Sequence, residues 1–90
     1  MDRTQTQVIR NYSKLYETRF DILESAEEFK VENLTEGQKE DFDFYKALLV
    51  SDFGYLEKFT KYNILMDVLA DIERNLIRCE VILESADWHI

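Results

Sequence analysis

Residues 34–49, LTEGQKEDFDFYKALL, decide whether the middle of the chain is a strand or a helix. Residues 41–44 (DFDF) alternate acidic and aromatic side chains, and such alternation is typical of a half-buried strand. In a helix, by contrast, Phe42, Tyr45 and Leu49 share one face, and the alternation fails from Tyr45 onward. The helical period accounts for more of the segment, so we predict a helix here.

The start of this helix is marked by Thr35. We predict Thr35 as the N-cap, because Gln38 three residues later can close a capping box and acids follow in the first turn. The predicted helix covers residues 36–60. Since only a short connection precedes it, we expect it to lie antiparallel to a first helix over residues 4–30.

The first predicted helix carries a broad apolar stripe. Thr4 and Gln7 are predicted to form a capping box at its start. Its apolar residues follow a 4-3 repeat: Val8, Tyr12, Leu15, Ile22, Ala26 and Phe29. A second apolar set widens the stripe: Ile9, Tyr16, Phe20 and Leu23. Arg19 occupies the missing position of the repeat, and it either extends to the rim of the core or pairs with a buried acid such as Asp52.

The third predicted helix, residues 63–88, has the strongest apolar pattern. Its seam follows a 3-4 repeat: Tyr62, Leu65, Leu69, Ile72, Leu76, Cys79, Leu83 and Ala86. Further apolar residues lie to one side of the seam: Met66, Ala70, Ile77, Val81 and Trp88. This surplus predicts either that the helix is central in a bundle or that it lies in an oligomer interface. For an oligomer interface, the candidate self-association residues are Met66, Ile77 and Trp88.

The predicted fold class is all-α. The 90 residues make a single domain with no proline and only two glycines, so the chain lacks the turn residues of an all-β protein. We predict an antiparallel three-helix bundle with a turn around residues 60–63. A break at residues 51–54 is the alternative, and it would create one long C-terminal helix. A chain this short needs a dense core or a second copy, so a dimer is also considered.

The net charge of −8 is unevenly distributed. Residues 1–16 contain one acid and three bases (+2), residues 17–43 contain ten acids and three bases (−7), and residues 44–90 contain eight acids and five bases (−3). The bases do not form the stripe that phosphate contacts need, so nucleic acid is not a predicted direct ligand.

Four acids of the first helix form a strip opposite its apolar stripe, because they are spaced by four, three and four: Glu17, Asp21, Glu24 and Glu28. Like charges at these spacings cost roughly 0.2–0.5 kcal/mol each. The strip is either a solvated face or a docking surface for a basic protein. Phe44 and Tyr55 lie beside the main apolar face of the second predicted helix, which does not need them for packing. They are therefore the predicted apolar anchors of such a surface.

Motifs for catalysis or metal binding are not found in the sequence. Two glycines are too few for a phosphate-binding loop or a nucleophile elbow, and one cysteine with one histidine cannot form a zinc site. Cys79 lies in the seam of the third helix and is predicted to be a core residue, whereas His89 is predicted to be exposed near the end. We therefore predict a protein that is not an enzyme and has no metal or cofactor.

Size and charge together predict a function in binding. The N-terminal segment has no signal-peptide core, no apolar run approaches a membrane span, and a single cysteine fits a reducing compartment, so a cytoplasmic location is predicted. We expect a small acidic helical protein that docks on a basic protein, such as a nucleic-acid-binding protein or an enzyme, and inhibits or modulates it. Immunity proteins, antitoxins and phage-encoded inhibitors often act in this way. The alternative is a structural or adaptor bundle that self-associates through its third helix.

Overall fold

The computed structural model describes residues 2–86, and these form three α-helices. They are α1 (Arg3–Lys30), α2 (Glu36–Lys58) and α3 (Tyr62–Ala86), with a short 3-10 helix (Val31–Asn33) between α1 and α2. No strand occurs in this part of the chain. The all-α class and the number of helices are therefore confirmed, and residues 41–44 are helical despite their alternation.

The N-caps of α1 and α2 are both capping boxes. At α2 the box is the predicted one: Thr35 Oγ1 accepts from the Gln38 backbone N–H at 3.1 Å, and Gln38 Oε1 accepts from the Thr35 N–H at 3.0 Å. At α1 the prediction of Thr4 and Gln7 was wrong, because Asp2 caps the helix and Gln5 closes the box. An aspartate is the stronger N-cap, and it lies two residues earlier, so Thr4 is already inside the helix.

The break between α2 and α3 lies at residues 59–61, which belong to neither helix. The alternative break at residues 51–54 was wrong. Gly54 continues α2, at a cost of roughly 1 kcal/mol relative to alanine. Asp52 does not cap a helix, because its side chain points inward and is buried against α3.

The helix α3 lies between the other two, and its predicted seam forms most of the core. Its buried apolar residues are Leu65, Leu69, Ile72, Leu76, Cys79, Leu83 and Ala86. The other elements contribute Ile9, Tyr16 and Leu23 from α1, Phe42 and Leu49 from α2, and Leu34 from the connection. The helix α2 runs antiparallel to α3, since Gln38 contacts Ser85 and Asp52 contacts Asn75. The helix α1 runs parallel to α3, since Tyr16 contacts Glu73 and Arg19 contacts Glu80.

Candidate functional site

The predicted acidic strip of α1 is fully on the surface. Glu17, Asp21, Glu24 and Glu28 are all exposed. One cation from α2 reaches this side: Lys46 Nζ lies 2.6 Å from Glu27 Oε1 and 3.7 Å from Glu24 Oε2. The hydrogen bond to Glu27 raises the pKa of Lys46, so the lysine stays charged. No ion pair to Glu17, Asp21 or Glu28 forms within residues 2–86, so three of the four acids have no neutralising cation there.

The helix α2 extends this negative surface with residues that the sequence analysis did not select. Asp43, Val50 and Glu57 recur every seven residues and lie within about 60° of Lys46 around the helix. All three are exposed, and Val50 retains 58% of its accessible surface. The six acids around Val50 are called the acidic face below: Glu17, Asp21, Glu24, Glu28, Asp43 and Glu57. The seven-residue spacing of Asp43, Val50 and Glu57 could have identified this part of the surface from the sequence.

Phe44 and Tyr55, the predicted apolar anchors, are exposed but lie away from the acidic face. Phe44 is two residues before Lys46 and therefore about 200° around α2 from the side that meets α1. Its ring contacts Tyr45 at 5.5 Å, and the Tyr45 ring lies beneath the Arg78 guanidinium of α3 at 5.1 Å. The structure therefore does not bring the acidic strip and the two aromatic side chains onto one surface.

The apolar stripe of α1 is divided between core and surface. Residues of the second set are buried, namely Ile9, Tyr16 and Leu23, whereas the 4-3 repeat contributes exposed Leu15, Ile22 and Phe29. Ile22 and Phe29 retain 64% and 80% of their accessible surface. The reason is the direction from which α3 approaches, because α1 rests on α3 through the side that carries Tyr16.

An apolar groove between α1 and α3 results from this arrangement. Ile22 lies on the α1 side, where Leu15 and Phe29 continue its row by their seven-residue spacing, and Ile77 and Val81, with exposed fractions of 48% and 57%, lie on the α3 side. An open depression of about 370 Å³ lies between Ile22 and Ile77, and a smaller one of about 160 Å³ lies nearer the start of α1. This surface is called the α1–α3 groove below.

The candidate self-association residues are distributed around this groove. Ile77 borders the larger depression, and Met66, which is half-buried, borders the smaller one. Trp88 and His89 lie outside the described residues. The structure thus places two of the three candidates in the α1–α3 groove, together with residues of α1 that were not among them.

Arg19 crosses from α1 to α3 along the groove. Its Nη2 lies 2.6 Å from Glu80 Oε1 and its Nε 3.4 Å from Glu80 Oε2, so the guanidinium binds with two hydrogen bonds. The suggested partner Asp52 was therefore wrong, since Asp52 faces α3 from the α2 side. Beside this pair, Tyr16 Oη donates to Glu73 Oε2 at 3.3 Å. Burial and the nearby Glu73 carboxylate raise the pKa of Tyr16.

A buried polar cluster lies between α2 and α3. Asn75 Nδ2 is 3.4 Å from both Asp52 Oδ2 and Asp71 Oδ2. Burial, together with the hydrogen bond to the adjacent Asp71 carboxyl and the charge of that carboxyl, raises the pKa of Asp52 to about 7, although the hydrogen bond from Asn75 opposes the shift. The sequence analysis missed Asn75, although it stands in a seven-residue series with Val68 and Ile82 and is the one polar member.

Cys79 is a core residue, as predicted. It is completely buried, and burial together with Glu27 and Glu80 raises the pKa of its thiol to about 11. A thiol in this environment is protonated at neutral pH and does not act as a nucleophile.

Residues 2–86 contain no group of three histidine, cysteine, aspartate or glutamate side chains that could hold a metal ion. Within the same residues, no helix is long and apolar enough to cross a bilayer. Comparison of the chain with protein-family models, curated proteins and solved structures finds no match. Its surfaces are therefore the basis for an assignment of function.

Proposed function

We propose that the protein is a non-catalytic binding module that docks on a basic protein through its acidic face and inhibits or modulates that protein. The observation that carries this proposal is the set of acids on α1 that have no cation partner within residues 2–86. Neighbouring acids on this strip repel one another, and a lysine in place of Asp21 or Glu28 would remove that repulsion, by roughly 0.2–0.5 kcal/mol per pair. A basic partner would relieve the same repulsion on binding.

Val50 adds an apolar contact to this surface. It is exposed, and it stands midway between Asp43 and Glu57 in one row of α2, neither of which forms an ion pair within residues 2–86. Aliphatic contact surrounded by charges is the usual arrangement of a protein interface, in which charges steer association and the buried centre retains the partner. We assign this role to Val50 in preference to Phe44 and Tyr55, because these lie on the other side of α2.

The partner class follows from the charge. A net charge of −8 attracts basic proteins, including enzymes and nucleic-acid-binding proteins, and it repels nucleic acid and anionic membrane surfaces. Such attraction speeds association at low salt and weakens as salt increases. We place this interaction in the cytoplasm, where the single cysteine would remain reduced.

The test is capture of partners from a lysate of the source organism at about 0.05 and 0.5 M salt, a range over which surface charges become screened. The first variant carries Asp21→Lys and Glu28→Lys. The matched control carries Asp41→Lys and Asp67→Lys, which are exposed acids away from the acidic face. Each variant changes the net charge by four, from −8 to −4.

We expect a basic protein to be captured by the wild type and by the control at low salt, and to be lost with the Asp21/Glu28 variant. In direct binding measurements, the purified partner should have a higher affinity for the wild type and the control than for the Asp21/Glu28 variant. Equal capture by both variants would show that only net charge matters and would contradict docking at the acidic face. Absence of any salt-sensitive basic partner would contradict the proposed function itself.

A further inference from the structure

The α1–α3 groove exposes a large apolar surface for a small monomer. Six side chains contribute to it: Tyr12, Leu15, Ile22, Phe29, Ile77 and Val81. From their exposed fractions they present on the order of 600 Å² to solvent, which is the upper end for the largest patch of a monomer. One partner in a stable interface buries about 800 Å², of which roughly 55–65% is apolar, so the groove supplies enough apolar surface for a complete interface.

The spacing within the groove matches that of packed helices. Leu15, Ile22 and Phe29 recur every seven residues, which is the repeat by which one helix packs along another. The occupant that complements such a row is therefore a helix with a similar row. The chain itself supplies one, because the same surface on a second copy presents the same repeat in the same register.

The charges also favour a second copy on this side of the molecule. Two chains of net charge −8 repel one another, so they associate most favourably through a surface with few uncompensated acids. Next to the apolar row, Asn11, Thr18 and Ser25 are exposed and uncharged. The acidic strip lies about 130° away around α1. Of the three glutamates that line the groove, Glu80 is neutralised by Arg19, Glu73 accepts a hydrogen bond from Tyr16, and Glu84 is exposed at the rim.

The distribution of charge along the chain sets the orientation. Residues 3–16 of α1 carry three bases and no acid (+3), whereas residues 17–30 carry five acids and two bases (−3), so the first half of α1 is basic and the second half is acidic. A parallel pair would place each acid of α1 level with the same acid of the other copy. An antiparallel pair with a two-fold axis at Ile22 instead places Asp21 level with Leu23 and Glu24 level with Phe20 of the other copy, so these acids lie level with uncharged residues.

We propose that a second copy of this chain covers the α1–α3 groove, with α1 antiparallel to α1 of the other copy and a two-fold axis near Ile22. The two acidic faces then point outward on opposite sides of a dimer. This inference concerns a different surface from the proposed docking function and does not depend on it.

The first test is the mass of the purified protein by light scattering between about 1 and 100 µM, a range that resolves dimers of ordinary affinity. We expect about twice the 10.8 kDa of one chain. Ile22→Glu should weaken association by at least about a hundredfold, because it buries a charge in the interface. Val50→Glu is the control: it replaces an aliphatic residue of similar exposure outside the groove and should leave the dimer intact.

The second test measures orientation by disulfide formation at introduced cysteines. Near a two-fold axis, Ile22→Cys should cross-link to itself, whereas Leu15→Cys should cross-link only when mixed with Phe29→Cys. Cys79 is buried and should not contribute, so the wild type is the control. Cross-linking of Leu15→Cys to itself would indicate a parallel pair and contradict the proposed orientation.

A monomeric wild type at 100 µM would overturn the proposal, as would a dimer that persists in Ile22→Glu. If the wild type is monomeric and Ile22→Glu loses a partner captured from lysate, the groove binds another protein instead of a second copy. Because Ile22 is largely exposed in one chain, circular dichroism should show that the glutamate variant still folds. None of these measurements requires a basic partner, so their failure is distinguishable from failure of docking at the acidic face.

Discussion

The helices α1 and α3 carry apolar repeats of the same kind, but their environments differ. The seam of α3 is buried from Leu65 to Ala86, because α1 and α2 lie against it from two sides. The repeat of α1 has no such cover, since α1 rests on α3 through Tyr16 and Leu23 and leaves Ile22 exposed. An apolar repeat therefore identifies a helix with a packing surface, and the number of neighbouring helices decides whether that surface is core.

The largest expected effect contrasts the two repeats directly. Leu76→Ala should lower the free energy of unfolding by roughly 3 kcal/mol, because Leu76 is completely buried and its removal leaves a cavity. Ile22→Ala should change it by less than about 0.5 kcal/mol in dilute solution, where the chain is monomeric. Urea denaturation at low and high protein concentration measures both. A large cost for Ile22→Ala at low concentration would contradict the placement of this residue outside the monomer core.

A second contrast separates the α2–α3 interface from the exposed surface by its response to pH. The pKa of Asp52 is raised in the folded state, from 3.8 to about 7. The folded protein therefore retains a proton that the unfolded chain releases, so this contribution to stability is present below about pH 4 and is lost as pH rises to about 7. Asp52→Asn should be nearly neutral at pH 4 and stabilising by on the order of 2 kcal/mol at pH 8.

The matched control for this pH effect is Asp67→Asn, which removes one negative charge from an exposed position of α3. Thermal unfolding of the wild type and both variants across pH 4–8 provides the comparison. The same pH dependence in both variants would assign the effect to net charge instead of to the buried cluster.

A third prediction separates helix propensity from packing. Gly54 lies inside α2, and a Cβ atom added there would meet nothing within 4 Å. Gly54→Ala should therefore raise the free energy of unfolding by about 0.5–1 kcal/mol, because it reduces the conformational freedom of the unfolded chain without a clash. Thermal denaturation measures it. Destabilisation by alanine would indicate that this part of α2 is not a regular helix.

The smallest expected effect concerns the contact that joins α1 to α3 along the groove. Arg19 and Glu80 are partly exposed, so their ion pair should contribute less than about 1 kcal/mol. A double-mutant cycle with Arg19→Met and Glu80→Gln measures their coupling energy and should show it decreasing at high salt. A coupling near zero at low salt would mean that apolar contacts alone orient α1 on α3.

Features that depend on neighbouring residues along the chain could be predicted from the sequence. Thr35 and Gln38 cap α2 because both groups belong to one turn, and residues 41–44 are helical because the period around them is helical. In each of these cases a local pattern was sufficient.

Features that depend on the rotation of one helix against another could not be predicted. The partner of Arg19 is Glu80 and not Asp52, and Val50, not Phe44, lies beside the acidic strip. Asn75 is buried against Asp52, although its own segment gives little indication of a partner. In each case the relevant contact joins residues that are 20 or more positions apart.

The amino-acid sequence by itself determined that residues 2–86 form three helices, where α2 begins, and that most of the negative charge lies in residues 17–43. These properties follow from short-range hydrogen bonding and from the 3.6-residue period. Only the tertiary structure decided that α3 is central, that half of the α1 stripe remains outside the core, and that the acidic face and the α1–α3 groove lie on different sides. A rotation of α1 by one residue, about 100°, would exchange buried and exposed side chains without changing any local preference.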